Sequence, residues 1–178
     1  MEIVNQFSWM IGGPQGTGVD SSATLFIRAC AVAGLNVYGK REYHSNIMGE
    51  HSYFQVRVSE APVHSHVDPV HLLATFDDET ARIHAHEVTA NGYFFYDETV
   101  TQLDALDLLP QVKTLALPYS QILAETAAET GQAPAKLQIM KNTIAVAASL
   151  ALTGFELKYI EKALKGIFTG NKAKLVAL

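Results

Sequence analysis

The sequence has a single cysteine, Cys30, and little charge, since Asp, Glu, Lys and Arg make up 17% of its 178 residues. One thiol can form neither an internal disulfide nor the ligand set of an iron–sulfur cluster, which usually takes four thiolates. A lone cysteine is also typical of a reducing cytoplasm. The formal net charge of −5 argues against nucleic acid as a main partner, because phosphate binding needs a clustered cationic surface.

Long apolar runs are missing as well. No stretch reaches the ~20 residues of a membrane-spanning helix, so we expect no membrane association. The first six residues, 1–6, lack the basic and apolar regions of a signal peptide. These absences predict a cytoplasmic protein, and the low charged fraction predicts that a partner covers part of its surface.

What the sequence does have is a regular series of strand and helix signals. Short apolar runs ending at turn residues predict six strands, at 7–11, 35–39, 53–58, 70–76, 93–97 and 114–118. Helical periodicity predicts helices at 19–33, 119–130, 136–152 and 156–166. This mixture predicts an α/β fold with three layers, α/β/α, around a mixed, partly parallel sheet. No linker interrupts the chain, so 1–178 is interpreted as one domain.

The sharpest local feature is the glycine loop, Gly12-Gly13-Pro14-Gln15-Gly16-Thr17-Gly18, between the first strand and the first helix. Glycines allow a close approach of the backbone, and a helix N-terminus offers N–H groups to an anion. The loop departs from known phosphate motifs, because Ser21 replaces the third glycine of GxGxxG, and Val19 and Asp20 replace the Lys and Ser/Thr of a P-loop. Asp20 also opposes a strongly anionic ligand. A turn without a ligand stays an alternative.

A second polar loop, Tyr43-His44-Ser45-Asn46-Ile47-Met48-Gly49-Glu50-His51, lies between two predicted strands. Loops at strand ends of α/β sheets often bind ligands, so we expect both loops at one edge of the sheet. Backbone N–H groups of the glycine loop would hold a phosphate there, with Tyr43, Ser45 and Asn46 closing over it. The alternative is a solvated connector.

Other candidate sites are weaker. His64 and His66 would lie on one side of an extended segment, with His71 nearby, but no cysteine or paired carboxylate supports a metal site. His84 and His86 precede Glu87 without forming the HExxH motif of zinc proteases. Cys30 lies on the apolar stripe of the first helix, as an inert buried thiol does. We expect neither a metal ion nor a catalytic residue in this chain.

Three segments together resemble the gamma subunit, or gamma domain, of 2-oxoacid:ferredoxin (acceptor) oxidoreductases: the glycine loop, residues 38–49 and residues 52–59. The alanine-rich stretch after Asn142 and the run 152–155 are also similar. The resemblance implies CoA-dependent oxidative decarboxylation of a 2-oxoacid such as pyruvate, 2-oxoglutarate or indolepyruvate. It implies alpha and beta partners, in some complexes a delta subunit, and ferredoxin as electron acceptor. Thiamine diphosphate, magnesium and iron–sulfur clusters would lie in the partners, leaving this chain a contact with coenzyme A.

The second loop departs from the common family pattern, and its form is closer to that of one subgroup. Many members have Ser-x-x-Arg-Gly-Gly in the second loop, but here Met48 and Glu50 stand for the arginine and the second glycine. The form Ser-Asn-Ile-x-Gly-x-His-Ser-Tyr-Phe is closer to a subgroup in which the gamma domain precedes the alpha domain, so this chain can be the N-terminal fragment of a longer one. The residues expected to contact the cofactor are Gly13, Gln15, Gly16, Thr17, Gly18, Tyr43, Ser45, Asn46 and Gly49.

Two other interpretations stay open at this point. One is a stand-alone NAD- or FAD-binding oxidoreductase domain, and the other is a purely structural assembly module. A dinucleotide site needs an acidic residue at the end of the second strand to hold a ribose. Glu42 is available there, but Lys40 and Arg41 precede it, so the fit is poor.

Overall fold

The structure is a computed structural model that describes residues 6–43, 49–138, 140–170 and 176. Six strands form one sheet, in the order β2-β3-β1-β4-β5-β6. The strands are β1 Gln6–Pro14, β2 Asn36–Tyr43, β3 His51–Ser59, β4 Val70–Thr75, β5 Val88–Tyr96 and β6 Lys113–Ala116. The helices are α1 Val19–Val32, α2 Asp78–His84, α3 Tyr119–Thr130, α4 Pro134–Leu137, α5 Met140–Leu152 and α6 Leu157–Ile167.

The sheet is mixed. Strand β3 runs antiparallel to both β1 and β2, whereas β1, β4, β5 and β6 run parallel to one another. The α/β class and the mixed, partly parallel sheet predicted from the sequence are confirmed. Only residues 44–50 separate β2 from β3, too few for the crossover helix that a parallel pair needs. Strands β1 and β3 are not consecutive, and β1 lies between β3 and β4 in the sheet.

Several element boundaries differ from the sequence prediction: for example, β2 ends at Tyr43 rather than at residue 39, and β5 begins at Val88 rather than at residue 93. The predicted first strand stops at residue 11, but β1 continues to Pro14 because Gly12 and Gly13 pair with β3. Pairing with a neighbouring strand overrides the low strand propensity of glycine. The predicted helix at 136–152 is described as two elements, α4 and α5.

Helices cover both faces of the sheet, which gives the three layers that the sequence predicted. On one face, α1 and α5 pack on β1, and α6 packs on α1. The rings of Trp9 and Phe26 stack 4.1 Å apart, and Trp9 Nε1 donates to Ser149 Oγ at 2.9 Å. On the other face, Met10 of β1 packs in a second cluster with Ala81 of α2. Alternate side chains of β1 therefore enter two different cores.

Cys30 lies within the first of these cores, fully buried on α1. Burial in apolar surroundings raises the pKa of its thiol to about 12, so the reactive thiolate is scarce at neutral pH. The thiol therefore packs as an apolar side chain, as the sequence indicated.

None of the helices within the described residues combines the length and the apolar character that a membrane span requires.

Candidate functional site

The fold creates a crevice at the carboxyl ends of its parallel strands. Strand β1 leads into α1 on one face of the sheet, and β4 leads into α2 on the opposite face. The point at which neighbouring parallel strands send their chains to opposite faces is where open α/β sheets bind ligands. Here that point lies between β1 and β4, at the glycine loop.

The two loops singled out in the sequence meet at this edge. The backbone N–H of Gln15 donates to the carbonyl of Glu50 at 2.7 Å, and the N–H of Gly49 donates to the carbonyl of Gln15 at 3.1 Å. The expectation that both loops share one edge is therefore confirmed. Tyr43 is the last residue of β2, whereas Ser45 and Asn46 lie outside the described residues.

Helix α5 packs directly on the glycine loop. Gly18 has a φ of 98°, and a Cβ at this position would lie 1.9 Å from Asn142 Nδ2. Asn142 is itself buried on α5. Only glycine satisfies both the backbone conformation and the contact, so this residue sets the distance between the loop and α5.

Gly18 is also the residue that precedes α1. No side chain caps this helix N-terminus within the part of the chain that the structure describes. The first N–H groups of α1 and the positive end of its dipole are thus available to another group. Such a helix N-terminus favours an anion.

A cleft of about 540 Å³ lies between the glycine loop and α5. Its lining residues are Gly16, Thr17, Gly18, Ser21, Phe76, Gln138, Lys141 and Asn142. Lys141 is the cationic side chain among them, with its Nζ 3.5 Å from Asp97 Oδ2 and 5.5 Å from the centre of the Tyr119 ring. The cleft thus combines a helix N-terminus with a lysine, two features that attract a phosphate group.

Asp20, in the first turn of α1, is paired with a cation. Its carboxylate Oδ2 lies 2.7 Å from Arg41 Nη2 of β2. This ion pair offsets the negative charge in the first turn of α1, which removes much of the sequence-based objection to an anionic ligand.

Three buried polar atoms near the crevice have no hydrogen-bond partner within the described residues: Gln15 Oε1, Thr75 Oγ1 and the Tyr119 hydroxyl. Burial, with a further contribution from the charge of Asp97, raises the pKa of Tyr119, so its hydroxyl stays protonated. Buried polar atoms without a partner are costly and occur where a water or a ligand completes the bonding. Gln15 is therefore a candidate ligand contact.

The sequence-predicted residues divide into two groups. Gly16, Thr17 and Gly18 line the cleft, whereas Gly13 lies in β1 and Gly49 bonds to the backbone of Gln15. Sequence reasoning missed Lys141. The sequence signal that could have identified this lysine is its position next to Asn142, which is part of the C-terminal resemblance.

Two of the histidines considered as metal ligands have other partners. His71 Nδ1 accepts a hydrogen bond from the Ser8 N–H at 3.1 Å, and His66 Nε2 lies 3.8 Å from Asp68 Oδ1. Burial lowers the pKa of His71, which suits its role as a neutral acceptor. Within the described ranges no three His, Cys, Asp or Glu side chains are grouped as metal ligands.

The comparison with known protein families agrees with this geometry. The profile of the pyruvate ferredoxin/flavodoxin oxidoreductase family matches residues 8–178. The chain belongs to this family. It is 35% identical to the 2-oxoacid:ferredoxin oxidoreductase subunit alpha of Saccharolobus solfataricus. This alignment of 189 positions covers 87% of this chain and 29% of that protein. The corresponding subunit alpha of Sulfurisphaera tokodaii is 30% identical over 92% of this chain and 31% of its own length. This chain therefore spans less than a third of these relatives.

Solved structures of the same family share the fold. A 2-oxoglutarate:ferredoxin oxidoreductase from Magnetococcus marinus, with 2-oxoglutarate, coenzyme A and succinyl-CoA bound, superposes with a TM-score of 0.77 at 21% identity. That match covers 97% of this chain and 29% of the other. The gamma subunit of a keto/oxoacid ferredoxin oxidoreductase from Geobacter sulfurreducens gives 0.72 at 19% identity, over 97% of this chain and 90% of the other. These similarities show that the fold is shared, and family membership does not favour a stand-alone dinucleotide-binding domain.

Proposed function

We propose that this chain is the gamma part of a CoA-dependent 2-oxoacid:ferredoxin oxidoreductase and that the cleft beside the glycine loop contacts coenzyme A. The observation that carries the proposal is a cleft lined both by Lys141 and by residues at the uncapped N-terminus of α1. Coenzyme A carries several phosphate groups, and both features attract phosphate. A 2-oxoglutarate:ferredoxin oxidoreductase that shares this fold has coenzyme A bound, which further supports this choice of ligand.

Residues in the cleft and beside it would have different tasks. Lys141 would bind a phosphate oxygen, with Asp97 and the Tyr119 ring holding its side chain in place. The N–H groups that follow Gly18 would bind a second oxygen, and Gln15 would use its unpaired Oε1 to accept a hydrogen bond from the ligand. Gly16, Thr17, Gly49 and the loop residues Tyr43, Ser45 and Asn46 are proposed to shape or close the site, with Gly13 supporting it from β1. Coenzyme A supplies the thiol that accepts the acyl group.

The remaining parts of the enzyme are proposed to lie outside this domain. The curated relatives are about three times as long as the matched region, and they are called alpha subunits. We therefore infer that residues 1–178 form a gamma-type domain joined or bound to an alpha-type domain, and that a beta partner completes the enzyme. Thiamine diphosphate, magnesium, the iron–sulfur clusters and the 2-oxoacid pocket would lie in those partners, ferredoxin would accept the electrons, and the complex would be cytoplasmic.

The dinucleotide alternative has a specific difficulty. The carboxylate Oε1 of Glu42, which would have to bind a ribose, lies 3.2 Å from Lys40 Nζ on the same strand. Binding a ribose would require Glu42 to exchange this exposed ion pair, which contributes little stability, so family membership is the stronger argument against this alternative.

The proposal predicts that activity requires the whole complex. The complex isolated from the native source is expected to reduce ferredoxin or a viologen dye when given a 2-oxoacid and coenzyme A. The 178-residue chain alone, supplied with thiamine diphosphate, magnesium and coenzyme A, is expected to show no 2-oxoacid-dependent reduction. Turnover by the isolated chain would contradict the assignment of the reacting groups to the partners. A native complex without any 2-oxoacid-dependent activity would contradict the proposed function itself.

A further inference from the structure

A second cleft adjoins the one beside the glycine loop, and the proposed function makes no use of it. This cleft has a volume of about 350 Å³ and lies between the helices α1, α5 and α6. Ser21 and Asn142 line both clefts. The two clefts are therefore adjacent, and one extended ligand can occupy both of them.

The second cleft has an apolar wall. Leu25 of α1 contributes to this wall and is itself buried. The other apolar side chains come from the end of α6 and are only half-buried: Leu164, Ile167 and Phe168. Apolar side chains that remain partly in contact with water are stabilised when an apolar group covers them. The wall therefore favours a ligand group with an apolar surface.

The rest of the lining is polar and mostly uncharged. Ser21 and Thr24 are exposed on α1, and Thr143 is half-buried beside Asn142 on α5. Hydroxyl and amide groups both donate and accept hydrogen bonds. An apolar surface with a few such groups around it is typical of small-molecule sites. A purine base matches this combination, because its faces stack on apolar side chains and its edge carries hydrogen-bond donors and acceptors.

Asp20 distinguishes the two clefts by charge. Among the described residues, it lines the second cleft and not the first, whereas Lys141 lines the first and not the second. A carboxylate repels a phosphate group but accepts hydrogen bonds from hydroxyl and amino groups. Asp20 can do so while Arg41 stays bound to its Oδ2, because one carboxylate accepts several hydrogen bonds. The phosphate groups of a nucleotide are thus expected in the first cleft, and its ribose or base in the second.

The chemistry of coenzyme A decides which end of the molecule this is. Its reacting thiol lies at one end and adenosine at the other, and its phosphate groups are attached to the ribose of that adenosine. The proposed function places the reacting groups in partner domains, so the thiol end has to leave this domain. A group held between α1, α5 and α6 stays within it. The adenosine end therefore suits the second cleft.

We propose that the cleft between α1, α5 and α6 is a nucleoside subsite, which holds the adenosine of coenzyme A while Lys141 and the N-terminus of α1 bind its phosphate groups. This inference rests on the proposed function and adds to it the orientation of the ligand. Ile167 and Phe168 cover a face of the base, and Ser21 and Thr24 bind its edge or the ribose.

Isothermal titration calorimetry on the assembled complex tests the subsite with two fragments of coenzyme A, adenosine 3′,5′-bisphosphate and 4′-phosphopantetheine. In Thr24→Trp an indole fills the cleft from an exposed helix position. The Kd for the adenosine fragment is expected to rise by about tenfold or more, because the base loses its space. The Kd for 4′-phosphopantetheine is expected to change by less than about twofold, because this fragment does not enter the second cleft.

The matched control is Ala31→Trp. Ala31 is also exposed on α1, but it does not line either cleft. This variant is expected to change the Kd of both fragments by less than about twofold. Phe168→Ala keeps the test decisive if Thr24→Trp does not fold. Removal of its ring is expected to raise the Kd for the adenosine fragment by about threefold or more.

The outcomes separate this inference from the proposed function. Unchanged binding of the adenosine fragment in Thr24→Trp and Phe168→Ala would overturn the nucleoside subsite. Weaker binding of 4′-phosphopantetheine alone would also overturn it, because the ligand would then lie in the reverse orientation. If these results occur while Lys141→Gln still weakens binding of coenzyme A, the subsite is wrong and the proposed function stands. If Lys141→Gln also leaves the binding of coenzyme A unchanged, the proposed contact with coenzyme A fails as well.

Discussion

Replacement of Gly18 by alanine is expected to lower the free energy of unfolding by about 3 kcal/mol. A left-handed backbone conformation costs an L-residue roughly 1–2 kcal/mol, and forcing a methyl group into a packed interface costs about 1–3 kcal/mol. Both costs apply here, because φ is 98° and the new Cβ would lie 1.9 Å from Asn142 Nδ2. For a domain of this size the midpoint of thermal unfolding should fall by about 6–12 °C, as calorimetry would measure.

Gly34→Ala is the matched control for this change. Gly34 follows α1 with a φ of 89°, but nothing lies within 4 Å of a Cβ placed there. Its substitution should lower the free energy of unfolding by only about 1 kcal/mol, the cost of a left-handed backbone conformation. Adding Asn142→Ala to Gly18→Ala should recover part of the loss, because the two side chains compete for the same space. Equal losses at Gly18 and Gly34 would contradict the role assigned to the contact with α5.

The second large effect is expected on coenzyme A. In the assembled enzyme, Lys141→Gln should raise the KM for coenzyme A about tenfold, equivalent to ~1.4 kcal/mol, and leave the KM for the 2-oxoacid and kcat nearly unchanged. The reason is that a charge-assisted hydrogen bond to phosphate is lost, whereas the reacting groups lie elsewhere. Steady-state kinetics with each substrate varied in turn measures this split.

Lys113→Gln controls for loss of a lysine in a similar setting. Lys113 also lies over a tyrosine, with its Nζ 5.2 Å from the centre of the Tyr93 ring. It is the first residue of β6, so it lies at the amino ends of the parallel strands, whereas the glycine loop lies at their carboxyl ends. Its substitution should leave all three kinetic constants nearly unchanged. If Lys141→Gln behaves like Lys113→Gln in an intact complex, Lys141 does not bind coenzyme A.

Local sequence signals predicted most elements of the fold because they act over a few residues. Helix α1 begins directly after Gly18, the last residue of the glycine loop, as the sequence predicted. Extension of β1 through Gly12 and Gly13 was not predictable in this way, since it depends on pairing with β3, about 40 residues away along the sequence.

The chemistry of the site was less predictable for the same reason. The glycines identified the loop, but the lysine that lines the same cleft comes from α5. A single sequence holds no local signal for contacts between side chains so far apart. The roles of Ser45 and Asn46 in closing the site stay predictions.

A structure of the assembled enzyme with coenzyme A bound, determined by cryo-electron microscopy, tests the central claim most directly. The expected result is a phosphate oxygen of coenzyme A within about 2.7–3.2 Å of Lys141 Nζ or of the first N–H groups of α1. Coenzyme A bound away from the glycine loop, or a partner side chain filling the cleft between this loop and α5, would contradict the account.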